Sequence, residues 1–360
     1  MRAEEVFRAL VALPREAGTP DSRAARTLLR RYLEELGFEV REEPFTFQPV
    51  SLLVLPLLGA GLGWLTVLEV PLLMLGSLPG FAALAVCFAG LVALAALAWG
   101  LGTGVAVPGA ETRSDANLIA TPRGGSVRRW VVAHLDTKAQ GHSMAGRLTA
   151  IWLLAAAAGG LSLSAVLRAR AGPRSAIEVA GVAGLAIAAG ALAGRGTLRG
   201  HSPGARDNGT GVLAALVAAE EGPGAAGDAG FLFTGAEEFG LIGARRFIRA
   251  GQVGEAEVVN LDTITDRGQL HVVLHDEGAR SFAGRVAGAL GAAREPVRIR
   301  RLPLGILVDS LPFARAGVAA VTVARLDWQD LRRLHTPRDD LDGLGLETAF
   351  EVGRAVAGLR

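Results

Sequence analysis

Five short stretches of this chain set acidic or imidazole side chains beside apolar runs or glycine turns, where they could hold a metal ion or move a proton. The first is Val131-Val132-Ala133-His134-Leu135-Asp136-Thr137. Strand residues two apart share a face, so a strand ending in His-x-Asp puts both side chains on one side. Asp136 could then hold the second ring nitrogen of His134, the usual support of a metal-bound imidazole. A plain polar pair at a strand end has the same spacing. The second stretch, Gly204-Ala205-Arg206-Asp207-Asn208-Gly209-Thr210-Gly211, centres an acid in a glycine turn that runs into a helix. Its glycines permit positive φ and close backbone approach. Asn208 and Thr210 are candidate helix caps, and Asp207 could itself be no more than a cap.

The third stretch runs from an apolar strand, Phe231-Leu232-Phe233, to the adjacent acids Glu237 and Glu238 and then to Gly240 and Gly243. Neighbouring carboxylates repel, so the pair calls for a cation or for a division of labour between ligand and base. Acids at a helix N-terminus are the plainer alternative. The fourth, Asn260-Leu261-Asp262, ends another strand in an acid, and the fifth, Leu334-His335-Thr336-Pro337-Arg338-Asp339, sets an imidazole on a polar loop. Each stretch alone is weak. Together they fall at the C-terminal ends of strands or in the loops beyond, where open α/β sheets carry their sites. They supply two imidazoles, three carboxylates as ligands and one carboxylate to spare. That donor set suits two Zn2+ ions, with Co2+ or Mn2+ as substitutes.

The elements that must position these residues alternate. Helical patterns over 3–12 and 22–36 precede a strand at Glu39–Phe47. Strands are predicted at Asn117–Thr121, Trp130–Ala133, Gly230–Thr234, Val258–Asp262, His271–Leu274, Val297–Leu302 and Val318–Val323. Helices are predicted at Thr210–Glu220, Leu241–Ala250, Ala279–Leu290 and Glu347–Leu359. Such alternation implies an α/β fold, a three-layer α/β/α sandwich whose mixed, mostly parallel sheet is covered on both faces.

Apolar segments interrupt this pattern. Ser51–Leu75 holds one acid, Glu69, and Phe81–Leu101 is uncharged. Both exceed the ~20 residues that cross a bilayer. Leu148–Leu167 and the weaker Ala176–Gly194, with Glu178 near one end, form a second pair. The implied organisation is an N-terminal part of the catalytic domain at 1–50 and transmembrane hairpins at 51–101 and 148–194. The rest of the catalytic domain lies at 102–147 and 195–360. Half of the chain is hydrophobic but only 5% aromatic, and the net charge is +2. No basic block with interleaved aromatics marks a nucleic-acid surface. The single cysteine, Cys87, excludes an internal disulfide and a cysteine-built zinc site.

Taken in order, the motifs His-x-Asp, Gly-Ala-x-Asp-Asn, Glu-Glu-x-Gly-Leu-x-Gly, Asn-x-Asp and His-Thr-Pro-x-Asp resemble those of the M28 family of metallopeptidases, which includes bacterial leucyl-type aminopeptidases. Val308-Asp309-Ser310-Leu311-Pro312-Phe313 resembles a further stretch of that family. The resemblance spans the chain apart from its apolar insertions. It implies that Asp207 bridges two metals, with His134 and Asp262 at one and Glu238 and His335 at the other. It makes Glu237 the general base and Asp136 the residue that orients His134. The implied activity is a membrane-bound dinuclear zinc aminopeptidase acting on peptides with a free N-terminus.

The chain departs from the family in Leu334, where an aromatic is frequent. Its only tyrosine is Tyr32, in an N-terminal helix, so no tyrosine is expected to stabilise the intermediate. Other co-catalytic zinc amidohydrolases (a deacylase, a carboxypeptidase, a glutaminyl-cyclase-like enzyme) and a non-catalytic membrane scaffold are the alternatives. The lipid bilayer is the expected partner, and a bacterial inner membrane the expected location. Basic residues flanking the spans favour a cytoplasmic catalytic domain, although Arg168, Arg170 and Arg174 on the far loop argue the other way. His142, His201, His271 and His275 are expected to be loop, solvated or structural residues.

Overall fold

A computed structural model describes residues 2–102, 107–222, 227–291, 296–303 and 305–359. The chain divides into two compact units. One comprises Met1–Phe47, Glu111–Ala139 and Gly200–Arg360, and the other Gln48–Ala110 and Gln140–Arg199. The first unit begins with helices α1 (Ala3–Val11) and α2 (Pro20–Glu35). The second holds α3 (Val54–Met74), α4 (Gly80–Gly102), α5 (Met144–Ala171) and α6 (Ala176–Ala193). The first unit then resumes with α7 (Gly211–Glu221), α8 (Ile242–Arg249), α9 (Arg280–Gly291), α10 (Ser310–Arg315), α11 (Trp328–Leu331) and α12 (Glu347–Ala357).

The first unit is built on a sheet of β1 (Glu39–Phe47), β2 (Arg113–Thr121), β3 (Arg129–His134), β4 (Ala229–Thr234), β5 (Glu257–Ile264), β6 (Leu270–Leu274), β7 (Arg298–Arg301) and β8 (Ala320–Arg325). Their order is β1-β2-β4-β3-β5-β8-β6-β7. The central run β4-β3-β5-β8 is parallel, as is the β6–β7 pair. The pairs β1–β2, β2–β4 and β6–β8 are antiparallel. Alternate residues face opposite ways, and both faces are apolar. Val131 and Ala133 join one buried cluster with α1, α2, α7, α9 and α12, whereas Trp130 and Val132 join another with α8 and α10. Two covered faces make the three-layer α/β/α architecture read from the sequence.

The differences are local. The helices α10 and α11 are too short to leave a period in the sequence. The latter starts at the Asp327 side chain, which accepts hydrogen bonds from the backbone N–H groups of Gln329 and Asp330. Strand β5 does not stop at Asp262. It runs on to Ile264 across a register shift between Leu261 and Ile264, so the acid stands at an irregularity inside the strand.

Among the described residues of the second unit four helices are long and apolar enough to cross a membrane, by length and composition. The helix over Ala176–Gly196, the weakest expectation, is one of them. Buried Ala150, Leu154, Ala157, Leu161 and Ala165 recur every three or four residues along one side of α5. Gly59 on α3 and Gly190 on α6 meet so closely that a Cβ on Gly59 would stand 3.0 Å from the Gly190 Cα and 2.9 Å from the Ala193 Cβ. Small residues at such crossings let membrane helices pack backbone to backbone. Glu178 completes a capping box with Ser175 at the start of α6.

Candidate metal centre

The acid at the centre of the glycine turn is held by its neighbours before any ligand is considered. Gly204 has φ +59, and a side chain there would fall on Thr137 and on the Asp207 carbonyl. Fully buried Arg15 donates to the carbonyls of Leu10, Leu135, Pro203 and Gly204, tying the turn to β3 and α1. Asp339 accepts from the backbone N–H of Arg206 at 2.8 Å and of Asp207 at 3.1 Å. Asn208 donates to the Leu261 carbonyl at 2.8 Å and accepts from the Thr263 N–H at 3.0 Å, which ties the turn to the strand carrying Asp262. It also accepts from Gly211 N–H at the start of α7, so it caps as expected. Thr210 does not: its hydroxyl donates to the Arg206 carbonyl and accepts from Ile264 N–H.

Around this turn the five expected ligand residues come together as two triads sharing Asp207. Ligand atoms of His134, Asp207 and Asp262 lie within 4.8 Å of one another, as do those of Asp207, Glu238 and His335. The His134 Nε2 stands 3.1 Å from one Asp207 oxygen, and the His335 Nε2 stands 3.2 Å from the other. Glu238 Oε1 lies 3.3 Å from the same His335 nitrogen. All five side chains are buried, and among the described residues the buried Glu238 Oε1 has no hydrogen-bond partner. Among the described non-glycine residues four have positive φ: Ala236, Leu241, Thr263 and His335. Ala236, Leu241 and His335 lie in or beside loops that carry site residues, and Thr263 follows Asp262 at the irregularity in β5. Such conformations cost on the order of 1–3 kcal/mol and persist where the surroundings enforce them.

Asp136 takes a different place from the one its spacing suggested. The Nδ1 of His134 is 3.0 Å from the Asp136 backbone carbonyl, while the carboxylate is 3.9 Å away. A carbonyl only accepts, so Nδ1 carries the hydrogen and Nε2 is left to bind a metal. The Asp136 carboxylate instead accepts from the backbone N–H of Glu237 at 3.0 Å and of Glu238 at 3.2 Å. It anchors the paired acids, and the main chain orients the imidazole.

Comparison with known proteins agrees with this geometry. Residues 191–359 match the sequence description "Peptidase family M28". That part of the chain belongs to peptidase family M28. The match includes Asp207, Glu237, Glu238, Asp262 and His335 and begins beyond His134. Curated protein sequences give no match. Among solved structures, an aminopeptidase from Aneurinibacillus sp. strain AM-1 is 15% identical, with a TM-score of 0.54 over 99% of this chain and 91% of that one. A zinc aminopeptidase from Bacillus subtilis is 14% identical, with a TM-score of 0.56 over 99% and 94%. A glutaminyl cyclase from Bacteroides thetaiotaomicron, bound to N-acetylhistamine, is 15% identical, with a TM-score of 0.57 over 99% and 95%. At such identities the likeness is one of fold. With the family match, it makes the chain a metallopeptidase.

The candidate site has an excess of buried negative charge. Burial pushes Asp262 up to about 7, with Asp207 and Asp309 adding to it. It raises Asp136 to about 8, with Glu238 adding, and Asp309 to about 6. Glu237 stands well above the usual carboxylate range because it is buried and faces Glu238, Asp309 and Asp262. Burial works against the charged form of His134, but Glu237, Asp207 and Asp262 outweigh it and make the ring strongly basic. A nitrogen that binds protons well also binds metal well, since both compete for one lone pair. Carboxylates that repel one another, two imidazole nitrogens aimed at one acid and an unbonded Glu238 oxygen fit divalent zinc.

Several residues of the site were not singled out from the sequence. Lys138 is buried and its Nζ lies 2.5 Å from Glu238 Oε2. Its signal was proximity, two residues beyond Asp136. Asp309 is fully buried beside the acids and accepts from the Thr234 hydroxyl; it lay in the Asp-x-x-Pro-Phe stretch. Arg15 had no motif to mark it. His201 is exposed as expected, while His275 meets the Ser310 hydroxyl at 2.7 Å.

Proposed function

We propose that this chain is a membrane-bound dinuclear zinc aminopeptidase. The observation that carries the reading is the pair of triads meeting at Asp207. In it, Asp207 would be shared by two zinc ions, with His134 and Asp262 as the other residues that would hold one and Glu238 and His335 those that would hold the other. Two bound zinc ions would acidify a shared water and polarise the scissile carbonyl. Glu237 takes a proton from water and hands it to the leaving amine. Its raised affinity for a proton, from burial and neighbouring carboxylates, suits that exchange. Asp136 holds the Glu237 and Glu238 backbone so that both carboxylates keep their places.

The test is Glu237→Gln in the full chain. Zinc content stays that of the parent while turnover of aminoacyl anilides falls by about 10²–10⁴-fold, the usual worth of a positioned base. A fully active variant would overturn the mechanism. The likeness to a glutaminyl cyclase supports a second reading, cyclisation of an N-terminal glutamine at the same site. Product analysis separates them: a free amino acid in one case, ammonia and a pyroglutamyl peptide in the other.

The apolar hairpins enter and leave on the same side, so the catalytic segments share one side of the bilayer. Of the far-loop arginines, Arg168 donates to the carbonyls of Leu72, Leu75 and Leu78, and Arg174 pairs with Glu178. That weakens the contrary signal and supports a cytoplasmic catalytic domain in a bacterial inner membrane. Substrates presented at the membrane surface follow from this placement.

A further inference from the structure

The two triads look alike in donor count, but their surroundings differ. Among the described residues the Asp262 carboxylate accepts only from its neighbour, the Thr263 hydroxyl, at 3.1 Å. At Glu238 one oxygen is taken by a buried ammonium, Lys138 Nζ at 2.5 Å, and the other faces His335 Nε2 at 3.3 Å. The Lys138 and Glu238 side chains are both almost wholly buried, so water does little to screen that charge.

We propose that Lys138 makes the two metal positions unequal. It holds Glu238 to a single ligating oxygen, Oε1, and cancels part of its charge. The Asp207–Glu238–His335 position therefore binds its ion more weakly and exchanges it, while the His134–Asp207–Asp262 position keeps its ion. Two physical effects point the same way. A dication entering beside Glu238 meets the like charge of the ammonium, and like charges a few ångströms apart in a buried site repel strongly. A carboxylate whose second oxygen is already bonded cannot bind the ion with both oxygens. Lys138 is thus a positioning residue, acting through Glu238 and not on substrate.

This inference rests on the two-zinc reading, and the experiment separates their failures. Full-length protein in detergent, stripped with a chelator, is titrated with zinc against a chromophoric competitor, and bound metal is counted. The wild type takes up zinc in two steps whose affinities differ by at least about tenfold, the scale of an uncompensated buried charge. His335→Ala abolishes the weak step alone, which assigns it. Lys138→Met tightens the weak step about tenfold or more and leaves the strong one within about twofold. Lys138→Gln, which keeps a hydrogen-bond donor without the charge, tightens it too and stands in if the methionine variant fails to fold. Two equal steps in the wild type, or a weak step that neither neutral variant tightens, overturn the role of Lys138. No zinc uptake in any step sinks the metallohydrolase reading itself.

Discussion

The two units of this chain bury charge in opposite ways. In the catalytic unit the buried Arg15, Lys138, Arg206, Asp330 and Asp339 are each tied into bonds that support the site. In the inserted unit only two buried charged groups appear among the described residues, Glu69 and Arg168. Arg168 donates to three carbonyls at the end of α3 and the turn beyond, and among the described residues neither Glu69 oxygen has a hydrogen-bond partner. The surfaces are inverted as well. Trp64, Phe81, Phe88, Trp99, Ile177 and Ile187 of the inserted unit all stand well exposed. A unit whose outside is this apolar suits hydrocarbon, and its helices satisfy the backbone internally. The other unit keeps polar groups inside because chemistry requires them there.

The comparison breaks most visibly at Arg206. Its guanidinium reaches Asp330 at 3.2 Å, the carbonyls of Asp340 and Asp342 at 2.6 and 2.9 Å, and Asp339 at 3.7 Å. Arg206→Met leaves two buried acids without their cation, and removing one partner of such a pair costs about 3–5 kcal/mol. Denaturant unfolding followed by far-ultraviolet circular dichroism should show that loss in the catalytic unit. A change below about 1 kcal/mol, the scale of an exposed pair, would mean that this network does not hold the Asp207 turn.

A smaller and opposite-signed pair of effects belongs to the bundle. Arg168→Leu removes three hydrogen bonds from a charged donor and should lower thermal stability in detergent, by about 1.5–3 kcal/mol if one such bond dominates. Glu69→Leu should be neutral or stabilising, because an apolar side chain replaces a buried polar one that lacks a partner. If Glu69→Leu kept the fold but lost peptidase activity, the bundle would take part in the reaction and the contrast between the units would fail.

What the sequence revealed follows the same division. The candidate ligand residues stood out because a site at strand ends puts rare residue types after apolar runs, as at His134 and Glu238. The membrane-length helices were legible from composition alone, even α6. Residues acting through the backbone were not. Asp136 has the spacing of a side-chain partner for His134, yet its backbone carbonyl fills that role and its carboxylate turns to the Glu237 and Glu238 amides. Arg15 binds carbonyls, which carry no sequence signature. In the sequence Lys138 lies close to the second hairpin and far from any acid of the site's later motifs, and only folding brings Glu238, 100 residues later, against it. Strand β5 looked finished at Asp262 because the positive φ of Thr263 is a tertiary demand that threonine does not announce.

The smallest test concerns His275, a polar residue of the catalytic unit outside the metal centre. Its Nε2 meets the Ser310 hydroxyl, which in turn meets the Thr322 hydroxyl at 2.6 Å, reached by the Asn260 amide at 3.2 Å. Burial lowers the affinity of this imidazole for a proton below its ordinary value of 6.5, with Arg315 acting in the same direction and Asp276 against. The folded chain therefore takes up this proton less readily than the unfolded chain. The stability linked to His275 is complete above pH 6.5 and falls as the pH drops from there through the folded value. His275→Gln keeps a partner for Ser310 and cannot titrate. Unfolding midpoints of the two proteins, measured from neutral pH downward, should converge as the pH falls if the variant starts the less stable, or separate in its favour if they start equal. Parallel curves would show that this histidine takes up its proton equally in both states, leaving the pH response of the catalytic unit to its carboxylates.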